Sequence, residues 1–289
     1  DVYPPNGDNV DIIKLSGGIN GANLFGNFIR NSNPNALAQV DVFAGGRGMR
    51  FTQNHLQNVE LHRKQTGGGH GFDGQPSDLY YDLIFGNFTE FDDGFIGKQA
   101  YYLIGSLFTA MANQIVMKNS HSDGIRGFTV SYLHEDIGVV SGALSGAFLL
   151  QGNTVDLSSV GGDGCFVYLI GKDSTYPHYV SMMGNILRGG TNYMNGAYQA
   201  SASLGNLWVD NPSGGTFINT RDGSLAIGNI AQNSEVTFRG RTSENKAKLT
   251  VSSTLVDTND YALSADSMDL IGVRSGTSGG TITSITGGN

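Results

Sequence analysis

An all-β parallel solenoid, in which each coil stacks its strands on those of the coil before, is the fold class this sequence predicts. Three observations predict it. Glycine supplies 43 of 289 residues, with only 6 prolines and no G-X-Y period, so it serves turns, bulges and tight packing rather than a collagen helix. Charged residues make up only 15% of the chain, well below the usual quarter, which argues against a coiled coil or charge-driven disorder. A turn-forming Asn recurs between two short apolar strands. The 39% of hydrophobic residues can still build a sizeable core.

The recurrence is read element by element, because a missed repeat mis-assigns the fold. Leu24-Phe25-Gly26-Asn27-Phe28-Ile29 is followed by Phe51-Thr52-Gln53-Asn54-His55-Leu56 and Ile84-Phe85-Gly86-Asn87-Phe88-Thr89. A weaker copy ends at Asn119. Asn153, Asn185, Asn206 and Asn229 complete the series, each after Gly and between short strands. Successive asparagines lie 27, 33, 32, 34, 32, 21 and 23 residues apart. No 3.6-residue periodicity and no leucine framework accompanies them, which excludes helical and leucine-rich repeats. In a solenoid, equivalent corners come to lie above one another. Asn tolerates left-handed backbone geometry, and its amide can bond the Asn of the next coil. The longer coils predict loops bulging from one corner. The alternative is an ordinary β-sandwich punctuated by Asn-Gly loops.

The Gly-Asn-apolar strands resemble those of right-handed parallel β-helix proteins of the pectate-lyase-like kind, and especially the tailspikes of bacteriophages. The resemblance covers residues 10 to 240 and is architectural; no catalytic motif of the family is matched. It implies a right-handed parallel β-helix and a homotrimeric spike carried outside the cell on the virion tail. The implied partner is a bacterial surface polysaccharide, which such spikes bind and commonly cleave. Two other readings stand beside it: a structural or adhesive fibre without chemistry, and a secreted monomeric polysaccharide lyase or hydrolase.

After Gly240 the texture changes. Lys246 to Ser253 alternates as a strand, and the tail from Ser275 to Asn289 is nearly all Gly, Ser, Thr and Ile. The expectation is a β-helix domain over residues 1–240 and a β-rich C-terminal trimerisation or tail region over 241–289. Asp1-Val2-Tyr3-Pro4-Pro5 reads like the start of an excised fragment.

The formal charge of −8 and the lack of any Lys/Arg-rich run argue against nucleic acid as a partner. The longest apolar stretches, such as Phe148 to Leu150, are too short to span a membrane. Cys165 is the only cysteine, so there is no intrachain disulfide and no Cys-based zinc site. It lies in an apolar strand-like run and is expected to be buried. Glycine runs lack the Gly-Lys-Ser/Thr ending of a phosphate loop, and no G-x-S-x-G elbow is present. No motif implies a cofactor or a metal.

Three clusters carry candidate chemistry. Three residues after each repeat Asn stand Arg30, Gln57, Glu90, Ser122, Asp156, Arg188, Val209 and Gln232, a polar column expected to line one outer face. Glu90 and Asp156 then lie two rungs apart, roughly 9–10 Å, near the upper limit for an inverting glycosidase. Arg188, one rung beyond Asp156, can hold that carboxylate ionised. Glu90, Asp92 and Asp93 form a second cluster, in which mutual repulsion raises a carboxyl pKa as a general acid requires; solvated charges at an Asp-Gly turn are the plainer reading. His134-Glu135-Asp136 is the third, with Glu135 a candidate acid beside a candidate base, or simply a solvated loop. Tyr80, Tyr81, Tyr101, Tyr102, Tyr193 and Trp208 crowd the middle of the chain and are expected, with Arg188, to face a glycan.

Overall fold

The computed structural model describes residues 2–15, 22–43, 48–64, 82–104, 107–122, 124–131, 146–160, 164–170, 178–195 and 200–210, together with Asn229 and the strands between Gly215 and Gly287. Every strand pairs in parallel with the strand three places on in the chain. Gly7–Leu15 pairs with Ala36–Phe43, Asn23–Phe25 with Arg50–Thr52, and Phe28–Arg30 with His55–Gln57. Three sheets result, of 11, 10 and 10 strands, termed sheets 1, 2 and 3. One coil is one strand of each sheet in turn, so coil 3 runs through Val59–Lys64, Asp82–Phe85 and Phe88–Phe91. Parallel crossovers between L-amino-acid strands wind right-handed. The chain is a right-handed parallel β-helix, as the sequence predicts.

The corner between sheets 2 and 3 explains the asparagines. Asn54 donates its backbone N–H and its Nδ2 to Asn87 Oδ1, and its Nδ2 again to Leu24 O on the coil before. The same set recurs at Asn87, Asn153 and Asn185. It continues through Asn206 to Asn229. From Asn54 to Asn206 each buried amide thus satisfies both of its donors and accepts two bonds from the coil before, which leaves none of these side-chain polar atoms orphaned.

One rung differs from the expectation. Asn113, not Asn119, occupies the corner of coil 4, accepting from Asn87 and donating to Asn153. Asn119 lies beyond the end of Gln114–Met117 and donates to Gly97 O at 2.7 Å. The reason is backbone geometry. In coils 1 to 7 the residue before the corner Asn has left-handed φ, from 59° to 66° at Gly26, Gly86, Gly152, Gly184 and Gly205. In coil 4 that position is Ala112 at 53°, and in coil 2 it is Gln53 at 55°. An Ala-Asn pair does not advertise such a turn.

Inside the coils, Tyr101, Phe128, Phe166, Tyr193 and Trp208 form a continuous column of rings, with centroids 5.3, 5.4, 5.0 and 6.3 Å apart. Phe108 and Phe148 stack beside it at 5.5 Å. Cys165 is buried. Coil 3 also holds an internal ion pair, Arg63 Nε to Asp82 Oδ2 at 2.7 Å, both side chains 1% exposed. Asp82 Oδ1 accepts the Met49 N–H at 2.8 Å.

The ladders continue past residue 240 in the same order, to Thr281–Gly287. Leu255 is in register with Ile230 and Arg274 with Leu255. The residues preceding those two partners are Thr254 and Val273, so the corner asparagine ends with coil 8.

Candidate functional site

Strand alternation decides what the outer face of sheet 3 presents. In coils 1 to 7 the second residue after the corner Asn points inward: Ile29, Leu56, Thr89, Ile115, Val155, Leu187 and Trp208 are all buried. The first and third point out. The third-residue column is Arg30, Gln57, Glu90, Val116, Asp156, Arg188 and Val209, each in register with the next. Val116 stands where Ser122 was expected, because the coil 4 corner is Asn113. The order Glu90, one intervening coil, Asp156, then Arg188 is as the sequence predicts.

The first-residue column starts with rings. Phe28 is 53% exposed, His55 lies 4.7 Å from it, and Phe88 4.9 Å beyond His55. His55 Nε2 also meets Glu90 Oε1 at 2.9 Å, with side chains 36% and 21% exposed. A partly exposed ring ladder thus runs beside Arg30, Gln57 and Glu90. Apolar faces next to directed polar groups are what a flat, hydroxyl-rich ligand requires.

The acids separate by environment. Asp92 belongs to the turn after its sheet 3 strand: its N–H donates to Asn58 Oδ1, and its Oδ2 accepts from Gln57 Nε2 and Asn58 Nδ2. Asp93 is exposed at the following turn. Asp156 accepts from the N–H and Oγ of Ser158 and lies 3.7 Å from Arg188, which also binds Asp210 at 2.9 Å. The bond to Asp210, then the charge of Asp156, push the Arg188 guanidinium pKa up. The three acids of the 90–93 stretch thus have different surroundings. Glu90 alone stands beside the rings.

Several expected surface aromatics lie inside the coil instead. Tyr101, Tyr193 and Trp208 have no exposed surface. Tyr101 bonds Thr89 Oγ1 at 2.7 Å, and Trp208 Nε1 donates to Gly189 O at 3.0 Å. Internal partners let two of these amphipathic rings enter the core. Burial raises the phenol pKa of Tyr101 and Tyr193 far above the ordinary value. Tyr102 is half-buried on the outer face of sheet 1, edge-on to His62. Tyr80, Tyr81 and Glu135 lie outside the described residues.

Sequence reasoning missed His55, Phe28 and Phe88 as site residues. Their signal was the outward position next to the corner Asn. It also missed a buried polar network on the outer side of sheet 1. There Glu60 accepts from the N–H groups of Lys98 and Gln99, from Gln99 Nε2, and lies 2.6 Å from His62 Nε2. Thr129 closes the chain onto Gln99 Oε1 at 2.7 Å. Among the described residues, no three His, Cys, Asp or Glu side chains gather as a cation site. No helix among them is long and apolar enough to cross a membrane.

No family model matches the chain, and no curated protein matches it. Among solved structures it is similar to a double mutant of the tailspike protein of E. coli bacteriophage HK620. The identity is 11%, the TM-score 0.27, and the match covers 94% of this chain and 73% of that one. The parallel β-helix assignment stands on the sheet topology itself.

Proposed function

We propose that this chain is a tailspike or tail-fibre domain of a bacteriophage that binds a bacterial surface polysaccharide on the outer face of sheet 3. The observation that carries the reading is the exposed ladder Phe28, His55, Phe88 beside Arg30, Gln57 and Glu90. Rings supply stacking area for sugar faces, and the polar column supplies hydrogen bonds in register. Val116 stands between Glu90 and Asp156 in the column, which leaves the two carboxylates two strand spacings apart.

Assembly as a homotrimer on the virion belongs to the same reading. Phe25 and Phe85, 61% and 38% exposed on the sheet 2 side of the Asn corner, are apolar surface that neighbouring copies cover. Residues 241–289, where the corner asparagine is lost, are the proposed trimerisation region. Light scattering tests the assembly, and a mass of one chain overturns it. Binding is tested with purified capsular and O-antigen polysaccharides against wild type, Phe28→Ala and Phe88→Ala. Binding lost in both variants with the fold intact supports the site. Reducing-end release abolished by Glu90→Gln would instead establish an enzyme.

A further inference from the structure

Coils 1 to 7 place two arginines on the sheet 3 strands, and their surroundings differ. Arg188 is held by Asp156 and Asp210. Arg30 is exposed and has no acidic partner among the described residues. It stands two residues from Phe28 on the same strand, so both side chains leave the same side of the sheet. Its register neighbour Gln57 is already engaged with Asp92. At the far end of the rings, Glu90 is bound by His55. The face therefore runs from a cation on coil 1 with no acidic partner among the described residues to a carboxylate on coil 3, roughly 9–10 Å away at two strand spacings.

A protein of net charge −8 repels anionic polymers at long range, so an anion must find local compensation to bind. A guanidinium offers paired donors matched to a carboxylate, and beside a ring platform it fixes the orientation of an acidic sugar. We infer that the saccharide taken by this platform is acidic, with a sugar carboxylate at Arg30. Uncharged rings then lie along Phe28, His55 and Phe88, because Glu90 repels a second carboxylate at coil 3. The bound stretch carries an acidic unit at one end and neutral units beside it. This rests on the platform being the glycan site.

The test uses the whole chain and a panel of purified bacterial polysaccharides, acidic and neutral, with every bound polymer retested after chemical reduction of its carboxylates. Bound polymers are expected to be acidic. Carboxyl reduction and Arg30→Gln should each weaken binding about ten- to a hundredfold, the range of one charge-assisted hydrogen-bonded pair. Arg50→Gln removes the same charge from an exposed position on sheet 2 and should change binding less than about threefold, because screening confines the effect to the local contact. A neutral polymer bound equally by wild type and Arg30→Gln, or an acidic one unaffected by reduction, overturns the inference. Binding lost in Phe28→Ala and Phe88→Ala but kept in Arg30→Gln removes the acidic sugar and leaves the platform. Binding kept in both ring variants, or no polymer bound at all, removes the platform and the inference with it.

Discussion

Asn113 and Asn153, 40 residues apart in the chain, are joined amide to amide at 2.9 Å, Asn113 donating and Asn153 accepting. The Asn113 backbone N–H reaches the same oxygen at 3.1 Å, and Asn153 Nδ2 serves Ala110 O and Asn185 Oδ1 in turn. One side chain ties coils 4, 5 and 6 together. All of these atoms are away from water, so none can trade its partner for solvent.

Asn153→Ala should therefore destabilise the fold by about 3–5 kcal/mol, since it strands buried donors on Asn113 and a buried carbonyl on Ala110. Asn27→Ala, at the exposed end of the ladder, should cost under about 1 kcal/mol because water replaces the lost bonds. Urea unfolding of both variants checks this. Equal losses would mean the ladder is not cooperative across coils.

Ala112 holds φ 53° at a position that is glycine in most other coils. The left-handed conformation costs an L-residue with a Cβ roughly 1–2 kcal/mol, part of which a glycine returns as unfolded-state entropy. Ala112→Gly should raise stability by about 0.5–1 kcal/mol, and Gly152→Ala should lower it by a similar amount. Denaturation midpoints moving the same way in both variants would refute the backbone argument.

The Arg63–Asp82 pair inside coil 3 is shielded from water, both side chains being 1% exposed. Arg63→Met leaves the buried Asp82 carboxylate without its ion-pair partner and should cost about 3–5 kcal/mol. The double variant Arg63→Met/Asp82→Leu should cost less than the sum of the two singles by at least about 1 kcal/mol. A thermodynamic cycle that came out additive would show that the charges do not interact.

Glu60 makes the stability pH-dependent. Burial pushes its carboxyl pKa up, but bonds from His62 and from the N–H groups of Lys98 and Gln99 together outweigh that and hold it below 4.5. A group whose folded pKa lies below its unfolded value adds stability that is complete above the unfolded value. That stability is lost as pH falls through the folded one. Unfolding free energy should thus fall as pH drops below about 4.5, and the slope should flatten in Glu60→Gln. An unchanged slope in that variant would assign the acid sensitivity elsewhere.

The corner asparagines were legible because a repeated local geometry demands a repeated local pair, Gly then Asn, whatever lies across the core. Once the corner is known, strand alternation fixes which residues face out. Glu90, Asp156 and Arg188 could then be ordered along one column without coordinates. Gln53-Asn54 and Ala112-Asn113 carry the same turn without glycine; the first was still legible, but at the second Asn119, whose spacing suited the series, took the place of Asn113.

What the sequence by itself determined is the winding, for stacking and alternation follow from periodicity, and periodicity is a property of the chain. What only the tertiary structure decided is which polar atoms find partners on other coils. Tyr101 and Trp208 are core because Thr89 and Gly189 receive their polar ends. Glu90 stands at the candidate site because His55, 35 residues earlier, meets it. Burial of an amphipathic or charged group depends on a partner across the stack, and that partner exists only when the coils are in register.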